Sequence, residues 1–326
     1  MAFARPHALA IVGSISALYA CIAVANEAEV LVDRVAGATR SLTYDGVFVY
    51  ARDGHVDAMR VVHTLGNGTE FERLIALSGP PREVVRDGTR VTCTFPDDKA
   101  VTVEKRSPRD YVGLDLSQPI EHVGRYYDFK IIGVERIAGR TTQMVAIDPR
   151  SADRYSLRLW VDQATNLLLK SAVVGRDGEV LEQVMFTQLS VGVPLAPNAL
   201  QAELEGVGYT WYTNAKAVST PNNPGIGKLS VGWLPSGFEM KNEHTQQIAT
   251  RQMPVKHMVY SDGLAMVSVF VEQLAKDAIP LQGYTAMGAV NAFSRLERDY
   301  QITVVGEVPQ TTVRRIAASV AVAEQN

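Results

Sequence analysis

The chain has 326 residues, 46% of them hydrophobic, and sets 32 lysines and arginines against 35 acids for a formal net charge of −3. So mild a charge excludes a dedicated nucleic-acid binder, which needs a strongly basic face. The length suffices for two domains, each with its own core.

Residues 1–25 read as an export signal. Arg5 supplies the positive start, Leu9 to Ala25 is apolar and uncharged, and Ala23-Val24-Ala25 offers the small-x-small pattern cut by a signal peptidase. The run is short for a transmembrane helix. The expected product therefore begins at Asn26 and lies in a bacterial periplasm. A competing reading makes Leu18-Tyr19-Ala20-Cys21 a lipoprotein box with Cys21 acylated, although the bulky Tyr19 fits such a box poorly. Once Cys21 leaves, Cys93 has no partner, so the fold rests on hydrophobic burial without a disulfide. Cys93 alternates with Val91 and Phe95, as a small buried residue of a strand does.

A helix follows, with Ala28, Leu31, Val35, Ala38 and Leu42 forming one apolar stripe and Asn26 with Glu29 as its expected cap. The pattern then turns to period two for about 150 residues. Asp53-Gly54, Asn67-Gly68, Asp87-Gly88 and Asp177-Gly178 punctuate it as tight turns. Strands are expected over 47–51, 58–64, 71–77, 84–85, 91–95, 101–104, 129–135, 143–147, 155–161, 167–174 and 180–189. Strands joined by short turns make an antiparallel meander, and so many of them curl. A helix can plug the hollow. Whether space remains there for an acyl chain, or the core is fully packed, the periodicity leaves open.

Pro194, Pro197, Pro221 and Pro224 mark a stretch without helix or strand pattern. The chain thus divides into a first domain over 26–200, a linker over 201–227 and a second, α+β domain over 228–326. In the second domain strands are expected at 231–233, 256–260, 264–272 and 302–305, with Asp262-Gly263 turning between two of them. Val313, Ile316, Ala317 and Val320 mark a terminal amphipathic helix.

Little chemistry is visible. Nucleophile elbow, Walker loop, dinucleotide fingerprint and zinc-ligand spacing are all missing from the sequence. Neither an enzyme, a cofactor nor a metal is expected. Two aromatics break the strand alternation: Trp160 stands among Ser156, Arg158 and Asp162, and Phe270 between Ser268 and Glu272. Each either packs beneath a neighbouring element or marks a contact surface.

Several blocks are similar to those of one family. They are Tyr44-Asp45-Gly46-Val47-Phe48-Val49-Tyr50, Met59-Arg60-Val61-Val62-His63, Glu72-Arg73-Leu74 and Gly79-Pro80-Pro81-Arg82-Glu83. The second domain adds Leu234-Pro235-Ser236-Gly237-Phe238, Val267 to Glu272, Asn291 to Arg295 and Val304 to Pro309. In this order and spacing the chain resembles the RseB/MucB family of periplasmic regulators of the envelope-stress sigma factor. The resemblance implies a first domain like the lipoprotein carriers LolA and LolB, a bent antiparallel sheet wrapped around helices. It implies a second domain that binds the periplasmic part of an RseA/MucA-like anti-sigma factor, with help from the surface between the domains. That partner would be shielded from the site-1 protease and released when lipopolysaccharide or a related lipid fills the first domain. Phe238, Tyr260 and Phe270 are the expected partner contacts, and Arg82, Arg86 and Trp160 the expected lipid contacts. A homodimer is left open. The alternative function is a periplasmic lipid or lipoprotein carrier, for which the second domain would be dispensable.

Overall fold

The computed structural model describes residues 13–105, 118–204, 206–213, 229–246, 254–275 and 278–322. Helix α1 (Gly13–Ser41) leads into β1 (Tyr44–Arg52), β2 (His55–Gly66), β3 (Thr69–Ala76), β4 (Glu83–Asp87), β5 (Arg90–Phe95) and β6 (Ala100–Lys105). A single helical turn, α2 (Ile120–Val123), precedes β7 (Tyr127–Ile137), β8 (Arg140–Pro149), β9 (Ser156–Asp162), β10 (Leu168–Val174), β11 (Val180–Val191) and the short β12 (Thr210–Thr213). The second unit holds β13 (Leu229–Val231), β14 (Glu239–Gln246), β15 (Val255–Ser261), β16 (Met266–Gln273), β17 (Gly283–Met287), β18 (Val290–Glu297) and β19 (Tyr300–Gly306). It closes with α3 (Gln310–Ser319) and β20 (Val320–Val322).

Each strand expected in the first unit is present. They form one twelve-stranded sheet in the order β12-β6-β5-β4-β3-β2-β1-β11-β10-β9-β8-β7. Two meanders are thus joined where β1 pairs antiparallel with β11. Asp53, Gly54, Asn67 and Gly68 all take positive φ, as type I′ hairpin turns require. One difference lies in the proline-rich stretch: β12 pairs in parallel with β6. Its four residues are all exposed, so no burial pattern advertised the strand.

Both faces of this sheet are apolar. On one face Ala28, Val32 and Val35 of α1 pack on Tyr127, Phe129, Val145, Ile147, Leu159 and Val161. The buried stripe of α1 sits slightly around the helix from the expected one, with Val32 and Thr39 inside and Leu31 and Ala38 half-buried. The helix also runs back to Gly13 and does not start at an Asn26 cap. The expected signal falls partly on residues 1–12, outside the described residues. Among the described residues no helix is long and apolar enough to cross a membrane.

The other face gathers Tyr44, Phe48, Val61, Leu74, Trp160, Leu169 and Phe186, with Cys93 partly buried against it. Ile137 joins this cluster from β7, the far edge strand, and β7 also approaches β11 although three strands lie between them in the order, so the sheet bends back on itself. A bulge between Ile131 and Gly133 makes this possible. It moves the odd-numbered residues of β7 from the α1 face to the opposite one. Val61, Leu169 and Phe186 are all sealed from a water-sized sphere. No open space borders these three side chains.

The second unit is a six-stranded sheet in the order β14-β15-β16-β19-β18-β17, with a small β13–β20 pair beside it. Val313, Ile316 and Ala317 of α3 are buried against Val267, Val269, Val271, Ile302 and Val304. This is the amphipathic helix expected from its spacing, except that it ends at Ser319 and Val320 begins β20. Strands β14, β17 and β18 were not foreseen: the first is almost wholly polar, the second is exposed throughout, and the third is mostly half-buried on both faces.

Candidate functional site: the seam between the two sheets

The two sheets meet at a sealed ion pair. Arg154 lies in the loop between β8 and β9, and Asp262 in the turn between β15 and β16. Their side chains are 2% and 0% exposed, and Arg154 Nε donates to Asp262 Oδ2 at 2.6 Å. The remaining hydrogen-bonding groups are also used. Arg154 Nη1 donates to Ser151 Oγ at 3.0 Å and Nη2 to the Ser236 carbonyl. Asp262 Oδ2 also accepts from the Tyr127 hydroxyl at 2.9 Å. Its Oδ1 accepts from the backbone N–H groups of Leu264 and Ala265 at 3.0 and 2.8 Å. Such saturation is what lets a buried ion pair survive its desolvation. The rings of Phe238, Tyr126 and Tyr127 lie 5.1, 5.4 and 5.5 Å from the guanidinium carbon and add cation–π attraction. Burial, then the Asp262 charge, pushes the Tyr127 phenol far above its ordinary range, so it remains a donor.

Glycine permits this approach. Gly237 has φ +92°, and a Cβ there would fall 2.4 Å from the Tyr126 ring. The 235–238 turn can lie against Tyr126 only without a side chain.

A second group of contacts flanks the first. Asn291 donates from Nδ2 to the Tyr155 hydroxyl at 2.9 Å and to the Val308 carbonyl at 2.8 Å. Thr312 Oγ1 donates to the Asp153 carbonyl at 3.1 Å. Gly288 N–H donates to Asp53 Oδ2 at 2.7 Å, and Ala289 N–H to Glu182 Oε2 at 3.4 Å. Glu182 also takes the Tyr50 hydroxyl at 3.0 Å. Burial, then the Glu182 charge, raises the Tyr50 phenol to about 12. A cavity of about 20 Å³ lies between Tyr127, Tyr155, Leu157, Val173, Leu264 and Ala265. That is room for about one water. At the rim, Arg150, Arg154 and Arg176 line an open polar cleft of about 330 Å³.

With this geometry in view, the comparisons are decisive. The profile of the MucB/RseB N-terminal domain matches residues 27–204, and that of the MucB/RseB C-terminal domain matches residues 226–321. The chain belongs to the MucB/RseB family. It is 33% identical to the sigma factor AlgU regulatory protein MucB of Pseudomonas aeruginosa, covering 96% of this chain and 96% of that protein. It is 29% identical to the sigma-E factor regulatory protein RseB of Salmonella typhimurium, covering 87% of each. Among solved structures it overlays on MucB in complex with MucA(peri) with TM-score 0.72 and 30% identity, over 91% of this chain and 100% of that one. On MucB crystallised alone the TM-score is 0.63 at 30% identity, over 91% and 98%.

Within this MucB/RseB fold the residues singled out from sequence do not form one site. Phe238 and Tyr260 belong to the core of the small sheet, where they are buried. Large aromatics were expected as surface anchors there, but their apolar area is used in packing. Phe238 bears on the seam through Arg154, whereas Tyr260 does not. Phe270 is half-buried and stacks on His257 with ring centroids 4.2 Å apart. Trp160 packs in the second face of the large sheet, with Lys170 Nζ 4.0 Å from its ring centre and its indole N–H donating to Glu135. Its break in alternation reflects a strand buried on both faces. Arg82 is exposed, whereas Arg86 is buried and lies 3.6 Å from the Glu70 carboxylate, so the two do not form a joint phosphate cradle. Arg154, Asp262, Tyr155 and Asn291 escaped sequence reading. The Asp262-Gly263 turn and the Asn291 to Arg295 block lay at two of them, but neither marked a contact between the domains.

Proposed function

We propose that this protein is a periplasmic regulator of a sigma-factor pathway. It binds the periplasmic region of a membrane-spanning anti-sigma factor, shields it from site-1 proteolysis, and releases it when lipopolysaccharide or a related lipid binds the larger domain. The proposed division is 26–200 and 228–326 with 201–227 between them, although β12 within the middle stretch pairs with the large sheet. Export through residues 1–25, cut after Ala25, places the regulator beside its partner. The observation that carries this reading is the overlay. The chain overlays on MucB holding MucA(peri) with TM-score 0.72, against 0.63 on MucB alone, which supports a partner of that kind.

Release is then a linkage problem. Lipid must bind the partner-free form more tightly than the partner-bound one, and a tenfold loss of partner affinity requires about 1.4 kcal/mol of coupling. The second face of the large sheet is packed, so an acyl chain must part residues such as Val61 and Phe186 to enter. A chain that forces the sheet open strains the loops that carry Arg154 and Tyr155. The test is a titration of the full chain with the partner's periplasmic segment, with and without lipopolysaccharide. Micromolar or tighter binding that lipid weakens supports the reading. No binding at micromolar concentration rejects it. Binding unaffected by lipid rejects the release step.

A further inference from the structure

The sheet edges are guarded unequally. Among the described residues the large sheet ends at β7 and β12, and the small sheet at β14 and β17. β7 carries Asp128, Lys130, Glu135 and Arg136 as well as its bulge. β14 carries Glu239, Lys241 and Glu243 and a bulge between Met240 and Asn242. Charges and bulges are how sheets refuse a further strand, and so is shortness, which leaves β12 with only four residues. β17 runs Gly-Tyr-Thr-Ala-Met from Gly283 to Met287. It has no charge, no proline and no bulge, and each of its residues is exposed.

The phase of its ladder follows from the turn. Met287 pairs with Val290 across the two-residue turn Gly288-Ala289, so that pair exchanges hydrogen bonds. By alternation Thr285 directs its N–H and C=O to β18, while Tyr284 and Ala286 direct theirs outward.

The surroundings specify what fits. Ile279, Leu281 and Met287 are 91%, 61% and 50% exposed beside this edge. Arg314, on the exposed side of α3, lies over the rings of Tyr284 and Phe293 at 5.7 and 5.2 Å. Its polar neighbour among the described residues is the Gln310 amide and not an acid. The edge is also continuous with the seam. The Tyr284 hydroxyl donates to Asn291, which donates to Tyr155 of the large domain. At the tip of the same hairpin, a Cβ on Gly288 would meet Glu182 Oε2 at 3.0 Å.

We propose that β17 is a docking edge: an extended, mostly apolar segment of the partner adds to the small sheet as a seventh strand and sets an acidic side chain against Arg314. This rests on the anti-sigma reading and specifies how that partner is held. Because the β17–β18 hairpin is pinned at its tip to the large domain, a strand added there is sensitive to the seam.

The experiment uses the full chain and the partner's periplasmic segment. Ala286→Pro removes an outward N–H and leaves the bonds to β18 in place. It should weaken binding about tenfold or more, with the melting temperature unchanged. Arg314→Glu should weaken binding about threefold or more by reversing the charge. In hydrogen exchange on the wild type, the amides of Tyr284 and Ala286 should gain protection in the complex. This measurement decides the matter if Ala286→Pro fails to fold. Binding by the wild type with both variants unaffected and both amides unprotected overturns the proposal while leaving the anti-sigma reading intact. Absence of wild-type binding rejects that reading and the proposal with it. Protection of both amides in the free monomer, or a homodimer abolished by Ala286→Pro, also overturns it, since the edge would then be covered by this chain or by a second copy.

Discussion

Two sealed ion pairs invite comparison, because the same chemistry does different work in each. Within the large sheet Arg73 donates to Glu83 at 2.5 Å, joining the adjacent strands β3 and β4. Glu83 also accepts from the backbone N–H groups of Glu203 and Leu204, and Arg73 donates to the Ala199 carbonyl. The pair therefore straps residues 199–204 across the sheet. Arg154–Asp262 instead joins two units that each have their own core. Breaking the first must cost fold stability. Breaking the second must cost orientation, because neither core needs it to form.

That contrast is open to attack. Arg73→Met leaves the Glu83 carboxylate buried without its cation, and the large domain should lose about 3–5 kcal/mol in urea denaturation. Adding Glu83→Leu should recover part of this. At the seam, Asp262→Asn keeps the acceptor that holds the turn and removes the charge. It should weaken domain–domain association by about 2 kcal/mol or more and widen the particle in small-angle scattering. Both domains should still melt as in the wild type, and a fall in either melting temperature comparable to that of Arg73→Met would erase the distinction. Gly237→Ala should loosen the same seam by about 1–3 kcal/mol, through its positive φ and its clash with Tyr126. Tyr126→Leu beside it should relieve the clash and leave the backbone strain.

The smallest effect concerns a third pair. His63 donates from Nδ1 to the Leu42 carbonyl at 2.8 Å and faces Glu70 through Nε2 at 3.2 Å. Burial opposes the imidazolium, yet Glu70 and the Leu42 carbonyl outweigh it and hold His63 above its ordinary 6.5. The hydrogen bond from His63 holds Glu70 below its ordinary 4.5. The histidine's contribution is complete below 6.5 and is lost as pH rises through its raised value. The glutamate's is complete above 4.5 and is lost as pH falls through its lowered value. The large domain should therefore gain most from this pair between those two values. Thermal melts of His63→Gln should lack the part of the decline above that window that the wild type shows.

The strands of the large sheet were legible because burial on at least one face prints a period of two. β14, β17 and β12 were not, since polar or fully exposed strands print no period, and neither was β18, whose mostly half-buried residues show no clean alternation. Trp160 looked anomalous only on the assumption that a single face was buried. Phe238 and Tyr260 looked like anchors because an aromatic reads the same in a core as at an interface.

By itself the sequence determined the two-unit mainly-β plan, the hairpin turns, the terminal helix and the family. These are local or periodic properties, carried by neighbours a few residues apart. The tertiary structure was needed for which charges are sealed together, that the large sheet has buried residues on both faces, and which strands end each sheet among the described residues. Arg154 and Asp262 are 108 residues apart, and nothing in the spacing of either announces the other. Their meeting depends on how two finished sheets come to rest against each other.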